Sequence, residues 1–386
     1  MKVVQLHELI NTITTEVLGS ETVVNEDLSN IVDVGNEIIN TDNVDAYVKK
    51  LVNHIGKVVF TDRLYAGGAP SVLMDSWEYG SVLEKISTEL PDATESDTWK
   101  LEGGKDYSPD IFYQPKVNVK FFNNKVTFEI PLSFTELQVK QSFSNSNQLN
   151  GFISMLTTAV ENSMTVKLDS LVMRTINNMI GETIAHDLDN EGTIDYASSG
   201  VKAVNLLKLY NDNSGQALTK DKALQDADFI RYATYVIGMY SDRIQKISTL
   251  FNIGGKERFT PTDMLHTVLL SDFQKASSVF LQSDTQNASL VALPTHETVP
   301  YWQGSGSGYE LKDVSAIDVV TSGKATVKTD GILGVMFDRH AIGVANLDKR
   351  VTTNYNPKAE FYTNFYKFDS GYYNDLNENF IVFFMG

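Results

Sequence analysis

The sequence predicts a mixed α+β protein, and three features carry that reading. Gln148–Gly181 keeps apolar residues at helical spacing throughout and contains no proline. Val117–Pro131 alternates apolar and polar residues with the period of a strand. Residues 330–386 are dense in strand signals and close on the apolar run Phe380–Phe384.

The elements follow in chain order. Leu6, Leu9, Ile10, Ile13, Val17 and Leu18 recur at steps that line one helix face, and Val44, Tyr47, Val48, Leu51, Val52 and Ile55 repeat the pattern. Gly35 and the run 40–43 separate the two, with Thr41 or Asp42 as an N-cap. Residues 1–56 therefore read as mainly helical. Tyr65, Gly67, Gly68 and Pro70 form a loop. Val82–Ile86 reads as a strand, and Val117–Pro131 as two strands turning at Asn123–Asn124 into a hairpin.

Between those strands lies a polar stretch. Glu84–Asp110 holds eight acids against three bases, with Pro91, Gly103, Gly104 and Pro109. Such a segment cannot bury enough apolar surface to build its own core. It is either a disordered surface loop or an arm that orders against a neighbouring chain, and Trp99 favours the arm, because aromatic residues are enriched where partners meet.

The run Gln148–Gly181 is predicted as a rod of roughly 45 Å at the rise of an α-helix. Its steps are too uneven for heptads, so its apolar stripe must lie across another element, such as a sheet. Residues 200–325 read as mixed α/β: a helix over Ala223–Ile247, a strand over Met264–Leu270, a short helix over Asp272–Leu281, and a flexible loop at Gly304–Gly308. In the tail, strands over Ile332–Phe337 and Ala341–Leu347 flank Asp338-Arg339-His340, an aromatic strand covers Glu360–Phe368, and Phe380–Phe384 requires burial in a sheet. No repeat of 20–50 residues is present.

Composition narrows the function classes. The 386 residues correspond to two or three domains of typical size. The absence of cysteine excludes disulfides, thiolate metal sites and a cysteine nucleophile. Forty-nine acids against 32 bases give a net charge of -17, which repels phosphate polymers and keeps an abundant protein dispersed. No apolar run reaches membrane-spanning length, and Met1–Ser20 lacks the layout of a secretory signal. The six histidines show no metal-ligand spacing; His296-Glu297 reads as an incidental loop pair. Gly304–Gly308 lacks the Lys-Ser or Lys-Thr of a phosphate loop and the central serine of a nucleophile elbow. Asp187 and Asp189 lie in a solvated run, and Tyr362, Phe365 and Tyr366 lack the basic interleave of a base-stacking surface. The residues point to no catalytic constellation, no cofactor and no metal.

The order of elements, together with Asp338-Arg339-His340-Ala341-Ile342-Gly343-Val344, Asp348-Lys349-Arg350-Val351, Tyr355-Asn356 and Asn377-Glu378-Asn379-Phe380-Ile381-Val382, resembles the major capsid proteins of tailed bacteriophages, the Hong Kong 97 fold family. The resemblance spans about 60–386 and rests on the order of these motifs. It implies an N-terminal arm at 1–56, an extended E-loop with flanking strands at 57–143, a peripheral domain with a spine helix at 144–199, an axial domain at 200–329, and a return to the peripheral sheet at 330–386. It also implies a non-enzymatic shell protein that assembles as hexamers and pentamers around double-stranded DNA, in the virion after assembly in the host cytoplasm. Scaffolding, portal and decoration proteins are the implied partners, DNA contact is non-specific, and no membrane is involved. Only about 56 residues precede the loop, so scaffolding is expected to be a separate protein or absent, and no cross-linking lysine is marked among Lys85, Lys100 and Lys105. Candidates for contact between subunits are Glu89, Asp92, Glu95, Asp97, Trp99, Lys100 and Lys105 on the arm, with Arg339 and Arg350 as ion-pair partners. The alternatives are an encapsulin-like compartment enclosing a cargo enzyme and a soluble mixed α/β enzyme with a discrete pocket.

Overall fold

The computed structural model describes residues 11–15, 70–74, 82–135 (apart from 92, 94, 97–98, 107–109 and 111), 137, 146–282, 293–305 and 316–386. Of the helical reading for 1–56, residues 11–15 are helical and the rest lies outside the described residues. The elements run β1 (Leu73–Met74), β2 (Leu83–Thr88), β3 (Val117–Phe122), β4 (Lys125–Thr135), α1 (Ser146–Leu188), β5 (Asp189–Asn190), β6 (Thr193–Ile194), β7 (Ala203–Asn205), α2 (Leu206–Ser214), α3 (Lys220–Ala223) and α4 (Ala227–Arg243). They continue with β8 (Leu265–Leu270), α5 (Ser271–Gln282), β9 (Glu297–Val299), β10 (Gly304–Ser305), β11 (Ile317–Val320), β12 (Thr326–Thr329), β13 (Ile332–Asp338), β14 (Ile342–Asn356), β15 (Phe361–Asn374) and β16 (Phe380–Phe384).

The chain divides into two compact units. The first comprises Met1–Ser76, Lys125–Met173 and Val344–Gly371. Its sheet has the order β1-β14-β15-β4, and β4 runs antiparallel to β15 from Thr135 opposite Phe361 to Lys125 opposite Gly371. The period-two pattern predicted for β4 sets its inward face. Phe128 and Phe134 are buried and stack on their register partners Phe368 and Tyr362, with ring centroids 5.0 and 5.9 Å apart. Along this part of α1, Val160, Met164, Leu168 and Val172 recur every four residues as a buried stripe, flanked by exposed Val166 and Lys167.

The second unit comprises Trp77–Asn124, Arg174–Gly343 and Tyr372–Gly386. Its main sheet has the order β7-β16-β13-β8-β9, with β8 and β16 antiparallel to central β13. Both β13 and β16 are buried along their whole length. A strand apolar on both faces needs a cover on each, and α2, α4 and α5 supply one. Leu207, Tyr210, Phe229, Ile230, Ile237 and Phe273 pack with Leu269, Met336, Ile381 and Phe383 into one core. Asp226 caps α4 by accepting from the Phe229 amide at 2.8 Å. The chain from Arg174 onward in α1 is buried nearly all round, and Gly181 lets Val319 approach to where a Cβ would meet Val319 Cγ1 at 2.6 Å.

Several sequence expectations change. The helix predicted over Gln148–Gly181 runs from Ser146 to Leu188. The hairpin at Asn123–Asn124 does not form: β3 pairs with β2, and β4 with β15. A tight two-residue hairpin turn needs positive φ at the first or at both central residues, and neither asparagine adopts it. Tyr372 donates instead to the Asn124 carbonyl at 3.1 Å. The tail was expected to complete one sheet and serves two. Alternating β14 and β15 enter the sheet of the first unit, and uniformly apolar β13 and β16 enter that of the second. Gly304 and Ser305, read as flexible loop, pair in parallel with Ile317 and Asp318. Residues 306–308 lie outside the described residues.

Candidate inter-subunit surface

The β2–β3 ribbon and the segment joining its strands form the candidate site. A two-stranded ribbon is marginal alone, so whatever holds it decides its role. Leu83, Lys85 and Ser87 of β2 and Asn118, Lys120 and Phe122 of β3 are half-buried, while the residues alternating with them are exposed. Four of the apolar members, Ile86, Val117, Val119 and Phe121, are thus turned outward. Ile86 is 62% exposed and Phe121 65%, with Val117 and Val119 beside them. The alternation of Val117, Val119 and Phe121 legible in the sequence is real, but its apolar face is not a core face.

The polar inner face explains the inversion. Lys85 and Lys120 are direct cross-strand partners, a like-charge pair that is destabilising unless compensated. Each lysine donates to Asp375 at 2.7 Å, one to each carboxylate oxygen. Lys85 also reaches Glu378 Oε1 at 2.8 Å, and Arg258 Nε lies 3.5 Å from the same oxygen. The Asp375 side chain is only 2% exposed. Burial pushes its carboxyl up, but the hydrogen bonds from Lys120 and Lys85 outweigh that and hold it below the usual carboxylate range. On the same face Phe122 packs on Tyr373 at 4.8 Å. Flipping the ribbon to bury Phe121 would strand the paired charges.

Beyond β2 the anchoring ends quickly. Glu89 accepts from Lys256 Nζ at 2.9 Å and from Asn118 Nδ2 at 3.0 Å, which lowers its carboxyl to about 2. Its amide donates to the Lys116 carbonyl, closing the ribbon. Past that point Leu90, Glu95, Trp99, Lys100, Leu101 and Lys105 are exposed, as are Phe112 and Tyr113 on the segment that leads back to β3. Lys100 Nζ sits 4.2 Å from the Trp99 ring centroid, and Lys105 lies 3.9 Å from Glu102. Asp92 and Asp97 lie outside the described residues.

The predicted site residues therefore separate. Glu95, Trp99, Lys100 and Lys105 share the exposed tip. Glu89 is engaged with Lys256 of its own chain. Arg350 pairs within the first unit, its Nη1 2.8 Å from Asp369, while Lys125 reaches the same carboxylate at 2.8 Å. Arg339 is exposed, and its amide donates to the Met264 carbonyl. Sequence reasoning missed Ile86, Val117, Val119 and Phe121 as surface, and it missed the Lys85, Lys120, Asp375 and Glu378 anchor.

Among the described residues no three His, Asp or Glu side chains group as a metal site. The described helices include none long and apolar enough to cross a membrane. His296 and its neighbour Glu297 are part-buried, and Glu297 Oε2 lies 3.4 Å from Nε2 of His266. His266 belongs to the core: it stacks on Phe337 at 5.0 Å, and Phe337 on Phe380 at 5.4 Å, across three adjacent strands.

Comparison with known proteins gives the geometry its context. The family model for Phi29-like phage major capsid proteins matches residues 10–384. A search of the curated proteins returns no match. Among solved structures, a chain of the capsid of Staphylococcus phage Andhra superimposes with a TM-score of 0.51 at 8% identity, covering 84% of this chain and 86% of that one. A chain from the structure of the head fiber and inner core protein of native bacteriophage P68 superimposes with a TM-score of 0.52 at 11% identity, covering 85% and 86%.

Proposed function

This chain belongs to the Phi29-like phage major capsid protein family, and from that premise we propose a Hong Kong 97-type assignment of its parts. It is a structural subunit of the virion capsid, and its copies self-assemble into an icosahedral shell. In our reading the β2–β3 ribbon with the tip at 89–116 is the E-loop, and α1 is the spine helix. The sheet β1-β14-β15-β4 is the peripheral domain. The sheet β7-β16-β13-β8-β9, with α2, α4 and α5, is the axial domain, so 200–329 gains β13 and β16 from the tail. Residues 1–56 are the N-terminal arm. Hexamers and pentamers enclose double-stranded DNA after assembly in the host cytoplasm, and portal, scaffolding and decoration proteins are further partners. The role is structural, with no reaction catalysed.

The observation that carries this reading is the inverted ribbon. Exposed apolar surface of this kind marks a contact with another chain. Ile86, Val117, Val119 and Phe121 form such a face, and the Lys85–Asp375–Lys120 anchor, centred on the buried Asp375 carboxylate, holds it outward. A second copy laid against that face buries what the subunit alone leaves wet. The acidic balance of 49 to 32 fits an inner wall that does not adhere to packaged DNA. Electron microscopy and size-exclusion chromatography of the purified chain test the assignment. Shells or ring-shaped capsomers are expected; a monodisperse monomer at every concentration overturns it.

A further inference from the structure

A groove of about 760 Å³ opens where α4 ends in the second unit, and the capsid role gives it no task. Its floor is Tyr240 and Phe251, both buried, with ring centroids 6.1 Å apart. Phe383 of β16 meets the Tyr240 ring edge-on at 5.6 Å, and the Phe380 amide donates to the Phe251 carbonyl at 2.9 Å. The core of the sheet thus fixes the floor. Ile247 and Leu250 make an apolar rim, 45% and 57% exposed. The segment that carries them folds back on itself: Ser248 and Arg258 exchange backbone hydrogen bonds at 2.9 and 3.0 Å, and the Thr260 amide donates to the Ile244 carbonyl at 3.0 Å. The groove is pre-formed.

Charge singles out the occupant. Arg243 and Lys246 are exposed on this rim, and neither forms an ion pair among the described residues. A cation in the last turn of a helix is favoured by the helix carbonyls, which accounts for Arg243. Lys246 lies past the helix end, where that reason fades. One acid, Asp242, shares the rim, so the rim is positive in a chain of net charge -17. A volume of this size, an aromatic floor and a few charges at one edge are the features of sites for small organic molecules. We infer that the groove binds a small amphipathic anion, an acidic head group on an apolar body. The body rests on Tyr240 and Phe251 between Ile247 and Leu250, and the head group faces Arg243 and Lys246. Apolar burial supplies the affinity, and the two cations select the sign of the head group. The site lies within one subunit, so it stands or falls separately from assembly.

The probe is anilinonaphthalene sulfonate, an aromatic anion that fluoresces in apolar surroundings. On the full-length chain its fluorescence is expected to saturate. Octanoate is expected to displace it and to raise the melting temperature of the chain; octylammonium, of the same length and opposite charge, is expected to do neither. Arg243→Glu with Lys246→Glu, both exposed positions, is expected to weaken binding of probe and octanoate about tenfold, as the loss of one charge-assisted contact does. Phe121→Asp, which disrupts the apolar face of the ribbon, is expected to leave the signal intact. Equal displacement by the two amphiphiles, an unmoved melting temperature with octanoate, or unchanged affinity in the double variant overturns the inference. Loss of the signal in Phe121→Asp places the probe on the ribbon and also overturns it. A groove closed to the probe in assembled shells shows that a second copy fills it, and equally overturns the inference.

Discussion

Lys85 stands directly opposite Lys120 across the β2–β3 ribbon, and both ammonium groups close on the one carboxylate of Asp375 at 2.7 Å. Two like charges held face to face are tolerable only around a shared counter-ion, so Asp375 decides which face of the ribbon turns inward. The other face, with Ile86 and Phe121, is outward as a consequence.

Asp375→Asn keeps the shape and removes the charge, leaving the lysines to repel. The expected loss is about 2 kcal/mol, less than for a fully buried pair because solvent reaches both lysines. Urea denaturation of the unassembled subunit measures it. Limited proteolysis should cut the variant faster within 82–122, and unchanged cleavage there would show that Asp375 does not hold the ribbon.

Phe121→Asp separates folding from assembly. Its side chain lies on the outer face of the ribbon and is largely exposed, so stability should stay within about 0.5 kcal/mol of the parent. Shell formation, seen by electron microscopy, should be lost, because a charge then lies on the apolar contact face. Phe368→Ala, in the stack with Phe128, is the converse: the subunit should lose about 3 kcal/mol whatever the state of assembly.

These contrasts also show what the sequence could reveal. Elements whose burial follows from local periodicity were legible. The α1 stripe of Val160, Met164 and Leu168 announced itself, as did β8, α5 and the fully buried β16. Pairing was not legible, because Asn123–Asn124 resembles a turn by composition, and only backbone dihedrals show that it is not a hairpin turn. Nor was facing. Alternation in β3 states that two faces differ, and the choice of the inner face depends on Asp375, 290 residues from Lys85 in sequence. The arm tip around Trp99 was legible as a contact candidate for a simpler reason: a polar stretch with an isolated indole has no core to put it in.

Gly181→Ala sets two effects against each other. Alanine in a helix interior is favoured over glycine by about 1 kcal/mol. Here the new Cβ would meet Val319 Cγ1 at 2.6 Å and Val319 Cβ at 2.9 Å, and a β-branched side chain on a strand has little freedom to withdraw. Overpacking of this kind costs about 1–3 kcal/mol, so a net loss of about 1 kcal/mol is expected in chemical denaturation. A stabilised variant would show that β11 yields to α1.

The pH dependence of subunit stability should have three limbs. Burial lowers the His266 imidazole, with the Glu297 carboxylate opposing, so the unfolded chain takes up a proton near pH ~6.5 that the folded chain refuses. Stability therefore begins to fall as pH drops below about 6.5, and His266→Phe, which keeps the stack on Phe337, should remove that first step. The carboxyls of Asp369 and Asp375 are raised by burial but held low on balance by Arg350 and Lys125 in one case and Lys120 and Lys85 in the other. Their contribution is complete above the ordinary carboxylate range and is lost as pH falls below about 4. At the alkaline end, burial and the charges of Asp375, Glu378 and Asp338 push the Tyr373 hydroxyl up to about 12. The folded state resists losing that proton, so stability present below about pH 10 declines as pH rises toward the raised value. Thermal melts of the unassembled subunit should thus plateau between about pH 7 and about pH 9, and Tyr373→Phe should make the alkaline limb shallower without removing it, because burial also raises the hydroxyls of Tyr196, Tyr210, Tyr240 and Tyr366. An alkaline limb unchanged in that variant would place the cause in another group.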